Sequence, residues 1–399
     1  VMPTNSRYDK RIAENNFKPH SRFSHDNEEA APGYYRVMLN DYGIEAELTT
    51  TRRTGIHRYR FPEDQHSKIH IDLGYALNWD RPTDTYLKIV DNKTIEGYRK
   101  STGWAKDQRV YFVIQLSRPF QGSELYQGDS ITTVTAKGTD TKVILNLQTS
   151  DNEEVIVKTG LSTASIEGAY ASLSKEAPHF DFDLYRQEAS YLWEQELQKI
   201  QVAMASADKK VIFYTMLYQS MLAPTLLSDT QNNYKGANHE VMNAQGFDRY
   251  DTFSLWDTYR AAHPLYTVLH PNRTADMINS LLAHYKETGL LPVWSMQGNE
   301  TNMMIGYHAI PVVVDAYFKG IDAIDPELAY EACYASAMAN DRQIDSYKEM
   351  GYVPIDEAHE NWSVSKTLEY AYDDWCLAQF ANDLGKSDDY EYFMQRSEN

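Results

Sequence analysis

Between residues 1 and 178 the sequence repeats one local pattern: a short run rich in Val, Ile, Tyr and Thr, partly alternating in polarity and closed by Asn, Asp, Gly or Pro. The runs are GYYRVMLND, IEAELTTT, HRYRFPE, KIHIDLGYAL, YLKIVDN, KTIEGYRKS, RVYFVIQLS, ITTVTAKG, KVILNLQT and EEVIVKTGLS. Alternation with β-branched and aromatic residues predicts strands. So many strands with no long helical pattern between them predict a two-sheet antiparallel β-sandwich over 1–178. Within one run the period of two sets His57 and Tyr59 on one strand face and Arg58 and Arg60 on the other.

The period then changes. Residues 179–205 carry Leu184, Ala189, Tyr191, Leu192 and Leu197 at helical spacing and read as a linker helix. From 206 to 399 the chain reads as helices. In KKVIFYTMLYQSMLAP the apolar positions Val211, Ile212, Met216, Tyr218 and Met221 predict a buried helix that stops before Pro224. A polar stretch at 225–252 is too long to be a plain connector. Further helices are predicted at 255–269, 274–288, 304–319, 326–340 and 365–384, with Gly289, Gly320 and Gly385 as stops and Asp325–Pro326 as a start. Short turns between helices that are apolar on more than one side fit layered antiparallel helix pairs.

The stretch 250–317 alternates helical segments with loops bearing Trp256, Asp257, Trp294, Asn299, Glu300 and His308, so the helices read as a frame and the loops as its working edge. Lys and Arg number 38 against 57 Asp and Glu, which argues against tracking a phosphate backbone or an anionic membrane. A neutral partner fits better. The 30 tyrosines and 7 tryptophans offer flat rings with polar tips, which suit sugars as well as a core. Cys333 and Cys376 read as small core residues, not as a disulfide framework. No apolar run approaches the ~18 residues of a membrane span, and the first residues, VMPT, carry no signal-peptide pattern. No zinc spacing, phosphate loop or CxxC pair is present.

If the neutral partner is a sugar, hydrolysis of its glycosidic bond needs two carboxyl groups about the scissile linkage. Carboxylates in the helical half include Asp257, Glu300, Glu357, Glu360, Glu369, Asp373 and Asp374. Asp373 and Asp374 are adjacent on a predicted helix, point ~100° apart and cannot share a substrate face. Glu369 and Asp373, four apart, do share one, and read as a solvated or capping pair. Asp257 and Glu300 stand at loop–helix borders. The plain alternative for Asp257 is a carboxylate that stabilises a helix N-terminus, and for Glu300 a solvated loop position. His308 reads as a hydrogen-bonded core histidine.

The runs SLWDTYRAAHPL, NRTADMINSLLAHY, GLLPVWSMQGNET and MIGYHAIPVVVDAYFKGI resemble the central signature of glycoside hydrolase family 92, the calcium-dependent exo-α-mannosidases. Matches in the same order flank them: FSHDNEEAAPGYYRVMLNDYGIEAELTTTRRTGIHRYRFP at 23–62, MLYQSMLAPTLLSDTQNNYKG at 216–236 and ENWSVSKTLEYAYDDWCLAQFANDLGKSDDY at 360–390. Several long motifs in register are far harder to meet by chance than one short pattern.

The resemblance implies a domain order of β-sandwich (1–178), linker helix (179–205) and the first part of an (α/α)6 barrel (206–399), with the remaining helices beyond Asn399. It implies an exo-acting α-mannosidase, of α-1,2 type, that works with inversion and calcium on mannose-containing oligosaccharides or N-glycans in the periplasm or outside the cell. The family's general acid is a Glu in a Glu-Gly-Asn-Ala-Trp type motif and its base an Asp in an Asn-Asp-Asp-Cys-Gly type motif. Neither motif occurs in 1–399, so both catalytic groups are expected beyond Asn399, and no calcium ligand is assigned here. Asp257 and Glu300 are accordingly assigned to the non-reacting hydroxyls of the terminal sugar, with Trp256 as a wall or platform, Asp257 accepting from a pair of hydroxyls, and Asn299 with Glu300 orienting the ring or a neighbouring loop. Asn302-Met303 stands where many relatives have Asp-Cys, which leaves linkage preference open. Two other readings are a sandwich-plus-helical-barrel glycosidase or phosphorylase of another family, and a glycan-binding protein that performs no chemistry.

Overall fold

The structure, a computed structural model, describes residues 1–9, 18–76, 79–356 and 362–398. Two compact units emerge: Val1–Gln219 with Asp229–Tyr234, and Ser220–Ser228 with Lys235–Asn399.

The first unit is built on two antiparallel sheets. Among the described residues the larger has nine strands, in spatial order Thr135–Gly138, Arg81–Ile89, Thr94–Thr102, Gln108–Leu116, Glu153–Ser162, Thr54–Phe61, Ile44–Thr50, Tyr34–Leu39 and Glu28–Ala31. The smaller runs Met2–Thr4, Asp64–Asp72, Thr141–Thr149, Gly122–Gln127 and Ser130–Thr132. Alternate residues of both sheets interdigitate in one apolar layer that includes Tyr59, Phe61, Ile69, Leu87, Phe112, Val143, Leu145 and Val157. That is the predicted sandwich. Its opposite face follows the same alternation: the Arg58 guanidinium lies on the ring of Phe182, 4.3 Å from its centroid, and forms ion pairs with Glu47 at 2.6 Å and Asp183 at 3.0 Å.

A helix at Ile166–Glu176 lies within the stretch read as the β-sandwich. Ser165 caps it by accepting from the Gly168 N–H, and its Ala169 and Leu173 cover Ile56, Val113 and Ile156 on the outer sheet face. Within 179–205, Phe182–Leu197 is helical, opened by Asp181, whose carboxylate accepts from Leu184 N–H. The helix Ala207–Gln219 departs from its predicted burial. Only Leu217 is buried, while Val211 and Ile212 are 65% and 59% exposed. Its apolar residues surround the axis instead of forming one stripe, so packing on one side leaves the others in solvent.

The second unit is helical: Ala262–Leu269, Pro271–Thr288, Ala309–Phe318, Pro326–Ala337, Ile344–Met350, Ser363–Asp383 and Ser387–Arg396. Helix Ala309–Phe318 is buried almost all round and packs against its neighbours Pro271–Thr288, Pro326–Ala337 and Ser363–Asp383 through Ile278, Leu281, Val313, Cys333, Leu377 and Phe380. Cys333 and Cys376 are both buried and unbridged, as expected of small core residues. Asp325 caps its helix from Glu327 N–H and Leu328 N–H, with Pro326 at the first turn, and Gly289 ends its helix at φ 84°. The fold is thus an antiparallel β-sandwich followed by a helical domain.

Candidate functional site

A two-residue antiparallel ladder joins the two loops singled out above. Phe253 pairs with Ser295 and Ser254 with Trp294. The first strand runs straight into a single helical turn, Leu255–Thr258, whose Leu255 is buried and whose Trp256 and Asp257 are exposed. The Ser254 hydroxyl donates to the Asp257 carboxylate and fixes its rotamer. An indole 38% exposed beside an exposed carboxylate offers a flat apolar wall and a charged acceptor on one turn.

The second loop turns at Gln297 and Gly298, both with positive φ. Met296 and Asn299 exchange backbone hydrogen bonds at 2.9 and 3.0 Å, and the Asn299 amide donates to the carbonyls of Met296 at 3.1 Å and Gln297 at 2.9 Å. Gly298 N–H donates to Asp251 Oδ2 at 2.9 Å, while Lys235 Nζ donates to the Gly298 carbonyl at 2.8 Å. Glu300 accepts three backbone N–H groups, from Val293 at 2.7 Å, Trp294 at 3.2 Å and Asn302 at 2.6 Å. The four residues assigned to sugar contact therefore share one pair of loops but divide in kind. Trp256 and Asp257 face solvent, whereas Asn299 and Glu300 direct their polar groups into the loop that carries Trp294.

Behind this turn lies a polar cluster that the sequence reading left scattered. The His308 imidazole stacks on Tyr259, with ring centroids 4.0 Å apart. His308 Nδ1 is 2.9 Å from Asp373 Oδ1 and Nε2 is 3.6 Å from Glu369 Oε2, and the Tyr259 hydroxyl donates to Glu369 at 2.6 Å. His308 is the hydrogen-bonded core histidine anticipated for it. Glu369 and Asp373 do share a helix face, but they are not a solvated pair, because Asp373 is wholly buried. Its other oxygen accepts Tyr307 N–H at 2.9 Å. Asp374 points elsewhere, to Arg396 at 2.5 Å and the Tyr307 hydroxyl at 2.7 Å. Burial pushes the pKa of both aspartates up, against the pull of His308 on Asp373 and of Arg396 on Asp374. Two aspartates set among Ala371, Cys376 and Leu377 on an otherwise apolar stripe were the available signal for such a cluster. Glu357 and Glu360 lie outside the described residues.

Calcium needs six to eight oxygen ligands about one point. Among the described residues no three His, Cys, Asp or Glu side chains converge in that way, so these side chains alone do not make up a calcium site.

Residues 1–162 match the glycosyl hydrolase family 92 N-terminal domain and residues 168–399 the glycosyl hydrolase family 92 catalytic domain. A solved family 92 α-mannosidase from Bacteroides thetaiotaomicron, in complex with mannoimidazole, has a TM-score of 0.90 at 40% identity, over 94% of this chain and 50% of that one. An inverting family 92 mannosidase from Bacteroides thetaiotaomicron VPI-5482 has a TM-score of 0.84 at 29% identity, over 94% and 52%. An uncharacterized secreted glycosidase from Arthroderma benhamiae is 27% identical over 421 residues, which is 94% of this chain and 49% of that protein. The chain spans about half the length of these relatives. With both family domains matched in order along nearly its whole length, the chain belongs to glycoside hydrolase family 92.

Proposed function

We propose that this chain is part of an exo-acting α-mannosidase that removes terminal α-linked mannose, of the α-1,2 type, from mannose-containing oligosaccharides or N-glycans with inversion. The observation that carries this reading is 40% identity, over 94% of the chain, to an α-mannosidase solved with mannoimidazole. In it Trp256 walls the terminal sugar and Asp257 accepts hydrogen bonds from its non-reacting hydroxyls. A charged acceptor discriminates epimers because it is left unpaired when a hydroxyl points elsewhere. Asn299 and Glu300 serve the same subsite by holding the Trp294 loop in place.

The inverting reaction needs an acid and a base about 6.5–9.5 Å apart. Both are assigned to the half of the family's length that this chain does not span, because neither of the two motifs that carry them in the family occurs in 1–399. Calcium belongs to the proposal as a requirement of the whole enzyme, with its ligands outside the set described above. The secreted relative supports a periplasmic or extracellular setting, and no described helix is long and apolar enough to cross a membrane.

The test is proton NMR of α-1,2-mannobiose incubated with the 399-residue chain and with a polypeptide of the relatives' full length, each with and without chelator. β-Mannose appearing first, from the longer polypeptide only and lost with chelator, is the expected result. Initial release of α-mannose overturns inversion, and release by the shorter chain overturns the assignment of acid and base. No release from either leaves glycan binding without chemistry as the function.

A further inference from the structure

The helix Ile166–Glu176 covers only part of the outer face of the nine-stranded sheet. Beside it a row of residues crosses five neighbouring strands in register: Lys137, Tyr86, Tyr98, Tyr111 and Ser162. Leu87, Ile95 and Phe112 point into the sandwich, so by alternation the three tyrosines point away from it. All three are half-buried. The rings of Tyr86 and Tyr98 stack with centroids 5.5 Å apart, and those of Tyr98 and Tyr111 lie 5.7 Å apart. They form one continuous aromatic strip running across the strands.

The charges along this strip are matched pair by pair. Lys100 lies 3.6 Å from Asp84, Lys88 3.0 Å from Glu96, and Arg109 2.6 Å from Asp107. The Tyr98 hydroxyl donates to Asp84 at 3.0 Å, and Tyr170, reaching over from the helix, donates to Glu96 at 3.0 Å and forms a low wall along one side. Such a surface combines partly exposed aromatic rings with a rim of donors and acceptors, and its three ion pairs carry little net field. That combination favours a neutral, hydroxyl-rich ligand over a phosphate backbone or an acidic or basic peptide.

We propose that the Tyr86–Tyr98–Tyr111 strip is a glycan-binding surface that takes a neutral oligosaccharide laid across the strands, its sugar rings against the tyrosines and its hydroxyls on Asp84, Glu96, Lys100 and Lys137. The choice of a glycan rests on membership of a glycosidase family and on the paired charges; it does not depend on the mannosidase reading or on Asp257. A purely structural role, cross-strand aromatic pairs that stabilise the sheet, makes a different prediction.

The experiment is native electrophoresis of the 399-residue chain through gels containing soluble α-mannan, xylan or β-glucan. It compares wild type with the double variant Tyr86→Thr/Tyr98→Thr, in which β-branched residues keep strand propensity. Wild type is expected to be retarded by at least one polysaccharide, and the variant to bind it about tenfold more weakly with an unchanged circular dichroism spectrum. If the double variant fails to fold, Tyr111→Thr alone carries the same comparison. Absence of retardation in every gel, or retardation that folded variants leave unaltered, overturns the proposal. Retardation by xylan or β-glucan and not by α-mannan supports the surface and leaves the mannosidase reading to the mannobiose test.

Discussion

His308 lies flat on Tyr259, ring planes within 7° of parallel, and each partner is held by its own carboxylate, Asp373 on the imidazole and Glu369 on the phenol. Tyr259 N–H also closes the turn that bears Trp256 and Asp257, donating to Leu255 O at 3.0 Å. The stack therefore fixes where the exposed pair points. Asp373→Ala leaves His308 Nδ1 and Tyr307 N–H without an acceptor in a dry interior, and is expected to cost about 3–5 kcal/mol. Asp373→Asn keeps one acceptor oxygen and should cost about 1–3 kcal/mol. Urea midpoints at constant m-value measure both. Wild-type midpoints would show that Asp373 does not hold the stack.

Glu300 organises its loop through three N–H groups, so its removal should loosen the loop before it unfolds the domain. Glu300→Ala is expected to speed hydrogen exchange at Val293, Trp294 and Asn302 by at least about tenfold, the equivalent of ~1.4 kcal/mol of local opening. Amides of the buried helix Ala309–Phe318 should keep their protection. Unchanged exchange at the three sites would mean that the carboxylate does not tie the loop.

Asp257 offers the opposite contrast, since it is exposed and its carboxylate takes the Ser254 hydroxyl. Asp257→Ala should alter stability by no more than about 0.5 kcal/mol. In an active polypeptide of the relatives' length it should reduce kcat/KM by the equivalent of about 2–5 kcal/mol. A wild-type kcat/KM removes Asp257 from the sugar subsite.

His263 predicts a pH dependence. It is buried against Phe253 and Tyr266, and neither ring nitrogen has a hydrogen-bond partner among the described residues. Burial lowers its pKa from 6.5 to about 4. Between those values the unfolded chain binds a proton that the folded chain refuses. Stability present above pH ~6.5 is therefore lost as the pH falls toward about 4. His284, pushed down to about 3 by burial, adds to the same slope. His263→Phe keeps a flat ring, removes the two unpaired nitrogens and should make that slope shallower, with stability at pH 7 within about 1 kcal/mol of wild type. Denaturation midpoints from pH 7 to 4.5 provide the test, and an undiminished slope refutes the assignment.

Much of this architecture was legible because its causes are local. Strand alternation placed Tyr59 and Arg58 on opposite faces, and the Asp325 and Gly289 caps fell where their chemistry required. The predicted helix 255–269 is instead two pieces, Leu255–Thr258 and Ala262–Leu269. Pro264, in the first turn of the second piece, was the signal for that break. The predicted start at 304 slips to Ala309 because Asn302, Met304 and Gly306 all take positive φ. In the site, Trp256 and Asp257 stand out by their place at a loop border. The groups that Glu300 and Asp373 bind were not legible. Glu300 depends on how its loop closes, and Asp373 meets a histidine 65 residues away, a distance at which spacing rules say nothing.

The tyrosine strip is assembled at right angles to the chain, one residue from each strand, and that arrangement bears on how such a protein can change through descent. Side chains alternate, so a one-residue shift in the register of Thr94–Thr102 would carry Tyr98 into the core and turn Ile95 out. Gly97 enforces the same register, because any Cβ there would meet the Tyr86 carbonyl oxygen at 2.2 Å. A lineage can exchange tyrosines on this face one at a time. It can vary length only in the connecting loops, so glycan preference would drift by substitution while the strands kept their count.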